Sequence, residues 1–284
     1  MKRWIIKSAI LFLVFILIPP SITYLTKRNN NMYNDLVGSY SIDKNYFAEI
    51  LIDGTIMTKT VLTKGSYVKD SIPVLMYHCI GDNSTSSKEL YVSQSEFRNQ
   101  MRYIRDAGYT PIDFNQTSDL KVIKKPIIIT FDDGYEDNYT NAYPILNELK
   151  IKATIFLITG TIGKKQYLNK SQIVEMQDLV DFQSHSVNHR YLAKTELDKL
   201  DYEFSESKKA IESITKKPVY VFSYPYGNYN QDVIRTVKKY YKYALSINHG
   251  FFNPSNSVAN YEICRIAVVR STNLDQFKNS LGSG

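Results

Sequence analysis

The segment Pro126-Ile-Ile-Ile-Thr-Phe-Asp-Asp-Gly134 joins a largely apolar run to two adjacent carboxylates and a glycine. A short apolar run that ends in turn residues is typical of a buried strand in a parallel sheet. Parallel α/β proteins have their active sites at the carboxyl ends of the strands, which is where Asp132 and Asp133 fall. Asp-Gly is also a common turn dipeptide, so these residues taken alone fit a plain turn equally well.

Strand-like runs and helical segments alternate from residue 72 onward. Besides 127–131, the β-rich runs are 74–77, 153–158, 179–183, 219–223, 243–247 and 263–269. The amphipathic segments are 95–107, 138–149, 169–176, 195–214 and 232–240, and Asn169 with Gln172 has the form of a helix-capping box. This alternation predicts a parallel sheet covered by helices. A seven-stranded barrel and an open doubly wound sheet both fit it.

The first 25 residues predict a signal anchor or a signal peptide. Lys2 and Arg3 precede a segment that contains an unbroken apolar run at residues 9–18. The segment as a whole approaches the ~20 residues that a helix needs to cross the hydrocarbon core of a membrane. Because no small-x-small cleavage site follows, an uncleaved anchor is favoured over a cleaved peptide. The rest of the chain is then expected on the extracellular face of the membrane, or secreted if the segment is cleaved.

The remaining residues divide into a stalk and one domain. Residues 26–70 are rich in Asn, Ser, Thr and Lys and are expected to form the stalk or N-terminal extension, with a hairpin in 49–62 around the turn Asp53-Gly54. Residues 71–284 are expected to form the domain. Cys79 and Cys264 are the only cysteines, which is too few for a disulfide scaffold. Free thiols are favoured, although a pairing of the two stays open.

The net charge of the chain gives no support for nucleic-acid binding. The 284 residues carry a formal charge of +7, and 43% of them are hydrophobic, which is ordinary for a globular protein. Five of the basic residues lie within the first thirty positions, which hold no acid, so the rest carries only +2. A surface for a polyanion is therefore not expected.

A second group of polar residues follows another apolar run, in Ser184-His185-Ser186-Val187-Asn188-His189. Two histidines four residues apart lie on one side of a helical turn, and a nearby carboxylate completes a three-ligand metal site with an open position. Histidines at this spacing are often incidental surface residues. The chain has only four histidines, however, and two of them cluster here. Metal binding is therefore the favoured interpretation.

Two further runs end in residues of chemical interest. Val74-Leu-Met-Tyr-His78 is a strand that ends in a histidine, which by itself fits a hydrogen-bonded core residue. Phe222-Ser-Tyr-Pro-Tyr-Gly227 is a strand that breaks into a Pro and Gly turn. Such a turn could present a backbone N–H to a developing oxyanion, although the signal alone is weak.

Taken together, these motifs resemble those of the polysaccharide deacetylases of carbohydrate esterase family four, the NodB-homology domain. The resemblance rests on Thr130-Phe-Asp-Asp-Gly134, His185-Ser-Val-Asn-His189 and Tyr224-Pro-Tyr-Gly227, and it covers roughly residues 72 to 275. It implies an α/β fold, a distorted (β/α)₇ barrel, after the N-terminal membrane segment and stalk. It also implies metal-dependent removal of N-acetyl groups from sugars such as N-acetylglucosamine.

The resemblance assigns roles to residues of the three motifs. Asp132 matches the catalytic base, and the metal triad corresponds to Asp133, His185 and His189. Ser186 would support the ligand loop. In the third motif, Pro225 would line the acetyl pocket, and the backbone N–H of Tyr226 would join the metal in binding the oxyanion.

The general acid is out of its usual place. Family members usually carry it in a Leu-x-His motif near the end of the domain, but no histidine follows His249 here. Met76-Tyr-His78 has the matching shape near the start of the domain, which is similar to the permuted order in deacetylases of the biofilm polymer poly-β-1,6-N-acetylglucosamine. We therefore expect His78 to be the acid, with Met76 against the acetyl methyl.

Two family features are missing. The arginine that usually orients the base does not occur in residues 221–226, and the Asp-Trp motif is absent because the only tryptophan is Trp4. Arg265 could replace that arginine, or it could be a surface ion pair. For the metal, Zn²⁺ is the default with two histidines and one aspartate, and Co²⁺, Ni²⁺ and Fe²⁺ also suit these ligands.

The resemblance favours an exopolysaccharide such as poly-β-1,6-N-acetylglucosamine as the substrate, with peptidoglycan or chitin oligomers as alternatives. An alternative of another class is a catalytically impaired carbohydrate-binding protein on the same fold. The sequence names no protein partner.

Overall fold

The computed structural model describes residues 49–52, 55–58, 71–82, 88–118 and 120–282, and the chain divides into the units Met1–Tyr67 and Val68–Gly284. In the first unit, β1 (Glu49–Ile52) pairs antiparallel with β2 (Thr55–Thr58), so the predicted hairpin is present. Its turn lies outside the described residues, as do the predicted membrane segment 1–25 and most of the stalk. Among the described residues, the helices lack the length and apolarity that a membrane span needs.

The second unit consists of alternating strands and helices. Its strands are β3 (Ile72–Tyr77), β4 (Cys79–Ile80), β5 (Tyr91–Val92), β6 (Thr110–Pro111), β7 (Pro126–Phe131), β8 (Ala153–Leu157), β9 (Val180–Ser184), β10 (Val221–Ser223), β11 (Tyr243–His249), β12 (Phe251–Phe252) and β13 (Ile263–Ala267). Its α-helices are α1 (Gln94–Asp106), α2 (Tyr143–Leu149), α3 (Lys170–Glu175), α4 (Leu197–Thr215), α5 (Gln231–Val237) and α6 (Leu274–Ser280). Each strand and helix expected from the sequence is present within a few residues of its predicted bounds.

Seven parallel strands close into a barrel in the order β3-β13-β11-β10-β9-β8-β7. The closing pair is β3 with β7, in the parallel register Val74↔Ile128 to Tyr77↔Phe131. This pairing removes the open-sheet alternative and confirms the (β/α)₇ barrel. The short strands β6 and β12 pair with the first residues of β7 and β3, and no sequence pattern predicted them.

Alternation along the strands separates two layers of core. In β7, Ile127 and Ile129 pack outward against the helices, whereas Ile128 belongs to the cluster inside the barrel. Because successive side chains of a strand point to opposite faces, Thr130 and Asp132 fall on the same side as Ile128. Strand β7 therefore places Asp132 in the barrel interior, at the carboxyl ends of the strands.

The helix ends agree with the sequence at one position and differ at another. The capping box of Asn169 with Gln172 is present at the start of α3. Helix α4 begins at Leu197 rather than at Thr195, because residues 192–194 form a separate 3₁₀ turn and the Thr195 hydroxyl donates back to the Tyr191 carbonyl.

Both cysteines are free thiols, Cys79 buried and Cys264 half-buried.

A polar cluster near the amino-terminal end of β9 lies away from the strand ends that carry the motifs. Asp181 accepts hydrogen bonds from Gln183 Nε2 at 3.0 Å and from the Tyr220 hydroxyl at 3.1 Å. Burial of the carboxylate raises the pKa of Asp181 to about 6, and the nearby Asp113 adds to the shift. The folded protein therefore holds a proton at Asp181 more tightly than the unfolded chain does.

We predict that Asp181→Asn stabilises the protein at pH 8 and changes its stability far less at pH 4.5. A carboxyl whose pKa is raised on folding stabilises the fold below its unfolded pKa, and this contribution is lost as pH rises through the folded pKa of about 6. The amide does not ionise, so the free energy of unfolding at pH 8 should rise by roughly 1–2 kcal/mol.

Urea unfolding at the two pH values measures this difference. The control is Asp275→Asn, because the Asp275 side chain is 89% exposed and the substitution makes the same chemical change at the surface. A gain for Asp181→Asn that is equal at both pH values would contradict the prediction.

Candidate metal centre and active site

Three potential ligands converge at the carboxyl ends of β7 and β9. Asp133 follows β7, and His185 and His189 lie on the loop after β9. The Oδ1 atom of Asp133 is 3.4 Å from His185 Nε2 and 3.3 Å from His189 Nε2, and the ligand atoms of the three residues all lie within 4.8 Å of one another. The structure thus brings together the three residues that the sequence predicted as metal ligands.

The chemistry of this group fits a divalent cation. Asp133 Oδ1 is buried and has no hydrogen-bond partner among the described residues, which is costly for a carboxylate oxygen unless a ligand compensates it. Burial lowers the pKa of His189 to about 4, so its imidazole is neutral, the form that binds metals. His185 Nδ1 lies 2.7 Å from the Ser223 carbonyl, a contact that places the proton on Nδ1 and leaves Nε2 as the donor atom for a cation.

The backbone is held in an uncommon conformation at Asp133 and in the loop 185–189, the ligand loop, which carries the two histidines. Asp133, Ser186 and His189 have φ angles of +74°, +67° and +54°, which non-glycine residues seldom adopt. The Ser186 hydroxyl accepts a hydrogen bond from the His189 N–H at 2.9 Å, and so closes the turn between the two histidines. Strained backbone of this kind persists only where surrounding contacts compensate it, which is common at functional sites.

Glu203, on α4, supplies those contacts and was missed by the sequence analysis. Its Oε2 accepts from the N–H groups of Val187 and Asn188 at 2.8 and 2.9 Å, and its Oε1 accepts from Asn188 Nδ2 at 2.7 Å and from Arg190 Nε at 3.2 Å. The carboxylate is buried, with the side chain 1% exposed. Its only signal in the sequence is position, since it shares the buried stripe of α4 with Leu200, Phe204 and Ile211.

Asp132, adjacent to the ligand Asp133, makes a two-pronged ion pair with Arg265. Arg265 Nη1 donates to Asp132 Oδ1 at 2.8 Å and Nη2 donates to Oδ2 at 2.7 Å. Burial alone would raise the pKa of Asp132, but the Arg265 guanidinium holds that pKa well below its usual range. Asp132 is therefore ionised at neutral pH, as a proton acceptor must be.

Arg265 is not the surface ion pair that the sequence left open. It is the third residue of β13, on the inner face of the barrel with Ile263, and the whole residue is 1% exposed. Its Nε donates to the Ser246 carbonyl at 2.9 Å and its Nη2 also donates to the Ser223 hydroxyl at 3.0 Å. These partners fix the guanidinium against Asp132, which is the position expected of the missing arginine.

His78 reaches the site from the end of β3, the strand next to β7. The Asp132 N–H donates to the Tyr77 carbonyl at 2.9 Å, which ties the end of β3 to Asp132. Asn138 Nδ2 donates to the His78 carbonyl at 2.8 Å. Burial lowers the pKa of His78, and the charges of Asp132 and Asp133 oppose that effect. Met76 lies buried two residues earlier in β3.

The turn after β10 brings Pro225 and Tyr226 to the same place. Pro225 is buried, and Tyr226 has a φ of +58°, with its ring centroid 4.4 Å from that of His189. Gly227 follows with a φ of +60°, and a Cβ there would clash with the Ile247 side chain, so the turn needs a glycine. Tyr226, the residue of the third motif predicted to bind the oxyanion, therefore lies beside the potential metal ligand His189.

Comparisons with known proteins agree with this arrangement. The family model described as "Polysaccharide deacetylase" matches residues 119–244. The chain is 37% identical over 174 residues to the "Putative polysaccharide deacetylase YxkH" of Bacillus subtilis, a match that covers 59% of this chain and 61% of that protein, less than two thirds of its length. It is 30% identical over 237 residues to the poly-β-1,6-N-acetyl-D-glucosamine N-deacetylase of Staphylococcus aureus, covering 72% of this chain and 81% of that protein.

A similar solved structure is that of a polysaccharide deacetylase from Bacillus cereus. It superposes with a TM-score of 0.70 at 33% sequence identity, and the match covers 74% of this chain and 69% of that chain. The family-model match, residues 119–244, lies within the barrel that carries the site.

We predict that Glu203→Gln weakens binding of Zn²⁺ or Co²⁺ by roughly 10- to 100-fold, the usual effect of removing a partner that orients metal ligands. Both carboxylate oxygens of Glu203 accept hydrogen bonds from N–H groups. In glutamine, an NH₂ group replaces one of these oxygens and would face an N–H group instead of accepting from it. Competition with a chelator of known affinity measures the change.

Glu206→Gln is the matched control on the same helix, because Glu206 pairs only with Lys209 at the surface in the described contacts. Unchanged metal affinity in Glu203→Gln, with the fold intact by circular dichroism, would show that the loop does not depend on this carboxylate.

Proposed function

The chain belongs to the polysaccharide deacetylase family, and on that premise we propose that it is a metal-dependent hydrolase of N-acetyl groups on the N-acetylglucosamine units of an extracellular polysaccharide. The observation that carries the proposal is the pairing of Asp132 with Arg265 directly beside the group Asp133, His185 and His189. An ionised carboxylate next to a cation site is the arrangement that activates water for amide hydrolysis.

The metal would be held by Asp133, His185 and His189, and Zn²⁺ is the ion we propose for these ligands, ahead of Co²⁺, Ni²⁺ and Fe²⁺. When bound, such an ion polarises the acetyl carbonyl and lowers the pKa of water.

The chain's own residues then have separate roles in the proposed reaction. Asp132 accepts the proton of the attacking water, and the two hydrogen bonds from Arg265 keep its carboxylate oriented. The backbone N–H of Tyr226 donates to the oxyanion as the carbonyl carbon becomes tetrahedral. His78 donates a proton to the leaving amine, which is a poor leaving group until it is protonated. Met76 and Pro225 contact the acetyl methyl.

We favour poly-β-1,6-N-acetylglucosamine as the polymer. Two observations support it. His78, assigned as the acid, precedes the base Asp132 in the chain instead of lying near the end of the domain. The chain is also 30% identical over 237 residues to a deacetylase named for that polymer. Peptidoglycan and chitin oligomers are the alternatives, because the fold and the motifs do not distinguish one acetylated sugar polymer from another.

The experiment uses the full-length chain, stripped of metal and reloaded with zinc or cobalt, and measures acetate released from the three polymers. We expect metal-dependent release from poly-β-1,6-N-acetylglucosamine. His78→Ala and Asp132→Asn should each lower kcat by roughly 10²- to 10⁴-fold, the usual contribution of a general acid or base. His249→Ala is the control, because His249 is an exposed residue at the end of β11.

Each alternative has its own result. Acetate released from peptidoglycan or chitin alone would make that polymer the substrate. Activity that survives His78→Ala would contradict the assignment of His78 as the acid. No acetate from any of the polymers with metal bound, together with retained polymer binding, would favour the impaired carbohydrate-binding protein.

We also propose that residues 1–25 hold the enzyme on the outer face of the cell membrane. Support comes from the basic residues at the start of the chain and the apolar run at 9–18. Recovery of the protein in the membrane fraction is expected, whereas a shortened chain in the culture medium would indicate a cleaved signal peptide.

A further inference from the structure

A row of aromatic rings leads outward from the metal ligands. The ring of His189 lies 4.4 Å from that of Tyr226, and Tyr226 stacks on Tyr191 with centroids 4.2 Å apart and planes 9° from parallel. Both tyrosines are half-exposed, Tyr191 at 51% and Tyr226 at 49%. The outer ring of the row, Tyr191, therefore lies within two ring spacings of a metal ligand and is open to solvent.

The two tyrosines come from different loops that are fastened to each other. Tyr191 precedes the 3₁₀ turn Leu192–Lys194, and Leu192 is fully buried beneath it. The Ala193 N–H donates to Asn228 Oδ1 at 2.9 Å, and Asn230 Nδ2 donates to the Ala193 carbonyl at 3.3 Å. Because Asn228 directly follows the turn that carries Tyr226, these bonds hold the two loops together and keep the two rings stacked. The exposed aromatic surface is therefore preorganised for a ligand.

Internal packing does not account for this exposed pair. A comparable stack in the same region, Tyr224 on Tyr229, has one ring fully buried, so it belongs to the core. In contrast, Tyr191 and Tyr226 keep about half of their surfaces in water. Covering an exposed aromatic face with a ligand removes apolar surface from water, which favours binding. Lys194 Nζ lies 5.6 Å from the centroid of the Tyr191 ring, a contact that is weak at an exposed site and easily displaced.

The occupant that fits is a pyranose ring. A pyranose unit with equatorial substituents presents C–H groups on its flat face, which pack on an aromatic ring while the hydroxyls stay in water. The row begins at the site where we propose that an acetyl group is removed, so a polymer with one unit at that site passes neighbouring units over the rings.

We propose that Tyr191, backed by Tyr226, is a stacking platform for a neighbouring pyranose unit of the polysaccharide. This inference rests on the proposed function, and it names Tyr191 as a residue that favours polymers over short substrates. An interaction made with a sugar distant from the reacting amide contributes mainly to binding, so its loss should appear in KM more than in kcat.

The first measurement compares acetate release from N-acetylglucosamine pentamers, β-1,6- and β-1,4-linked, with release from the corresponding dimers. We expect Tyr191→Ala to lower the pentamer-to-dimer ratio of kcat/KM by roughly three- to tenfold, the value of one aromatic contact, through a higher KM for the pentamer. Tyr191→Trp should restore the ratio, because it keeps a flat ring. Tyr202→Ala is the matched control, since Tyr202 is 53% exposed on α4 and should leave the ratio unchanged.

The second measurement is calorimetric titration of the same pentamers into the metal-free full-length chain and its Tyr191→Ala variant. If the wild-type chain binds a pentamer but releases no acetate from it when reloaded with zinc or cobalt, the proposed function fails, and weaker binding by Tyr191→Ala still supports the platform. The platform is overturned if the wild-type chain binds neither pentamer, if Tyr191→Ala binds and turns over pentamers as well as the wild type, or if Tyr202→Ala shows the same loss.

Discussion

Strand β3 pairs with β7 on one side and with β13 on the other, and the site depends on this double pairing. The pairing with β7 ties the end of β3 to Asp132, so His78 arrives beside the proposed base. The pairing with β13 closes the barrel and sets Arg265 in its interior, although Arg265 and Asp132 are 133 residues apart in the chain. In an open sheet, one of these edges would be unpaired, and His78, Asp132 and Arg265 would not lie in one space.

The closed interior makes charge burial the second constraint. Both partners of the Arg265–Asp132 pair are almost completely buried, and removing two charges from water is costly unless their remaining hydrogen-bonding groups are satisfied. The guanidinium meets this requirement through the Ser246 carbonyl and the hydroxyls of Thr130 and Ser223. As a result, two carboxylates adjacent in sequence have different surroundings. Asp132 is neutralised by the protein's own cation, whereas Asp133 has one oxygen that lacks a hydrogen-bond partner among the described residues and lies near two imidazoles.

The ligand loop shows how far residues outside the motifs determine the site. His185 and His189 can converge only because the backbone between them turns through left-handed conformations at Ser186 and His189. The Ser186 hydroxyl closes that turn by accepting a hydrogen bond from the His189 N–H. Glu203 accepts hydrogen bonds from the N–H groups of Val187 and Asn188, in the same turn. A helix packed against the loop thus stabilises the strained geometry from outside, which the histidine spacing alone does not reveal.

The sequence by itself determined the repeating units and the reactive groups. The apolar runs and amphipathic segments fix strands and helices because side-chain periods of 2 and 3.6 are local properties of the chain. Placement of Asp132, Asp133, His185 and His189 at strand ends followed from the same pattern. Only the tertiary structure decided between barrel and open sheet, placed Arg265 on Asp132, and revealed Glu203 and the stack of Tyr191 on Tyr226. These features join residues that are distant in the chain, and their energies come from burial and hydrogen bonds that exist only once the barrel has closed.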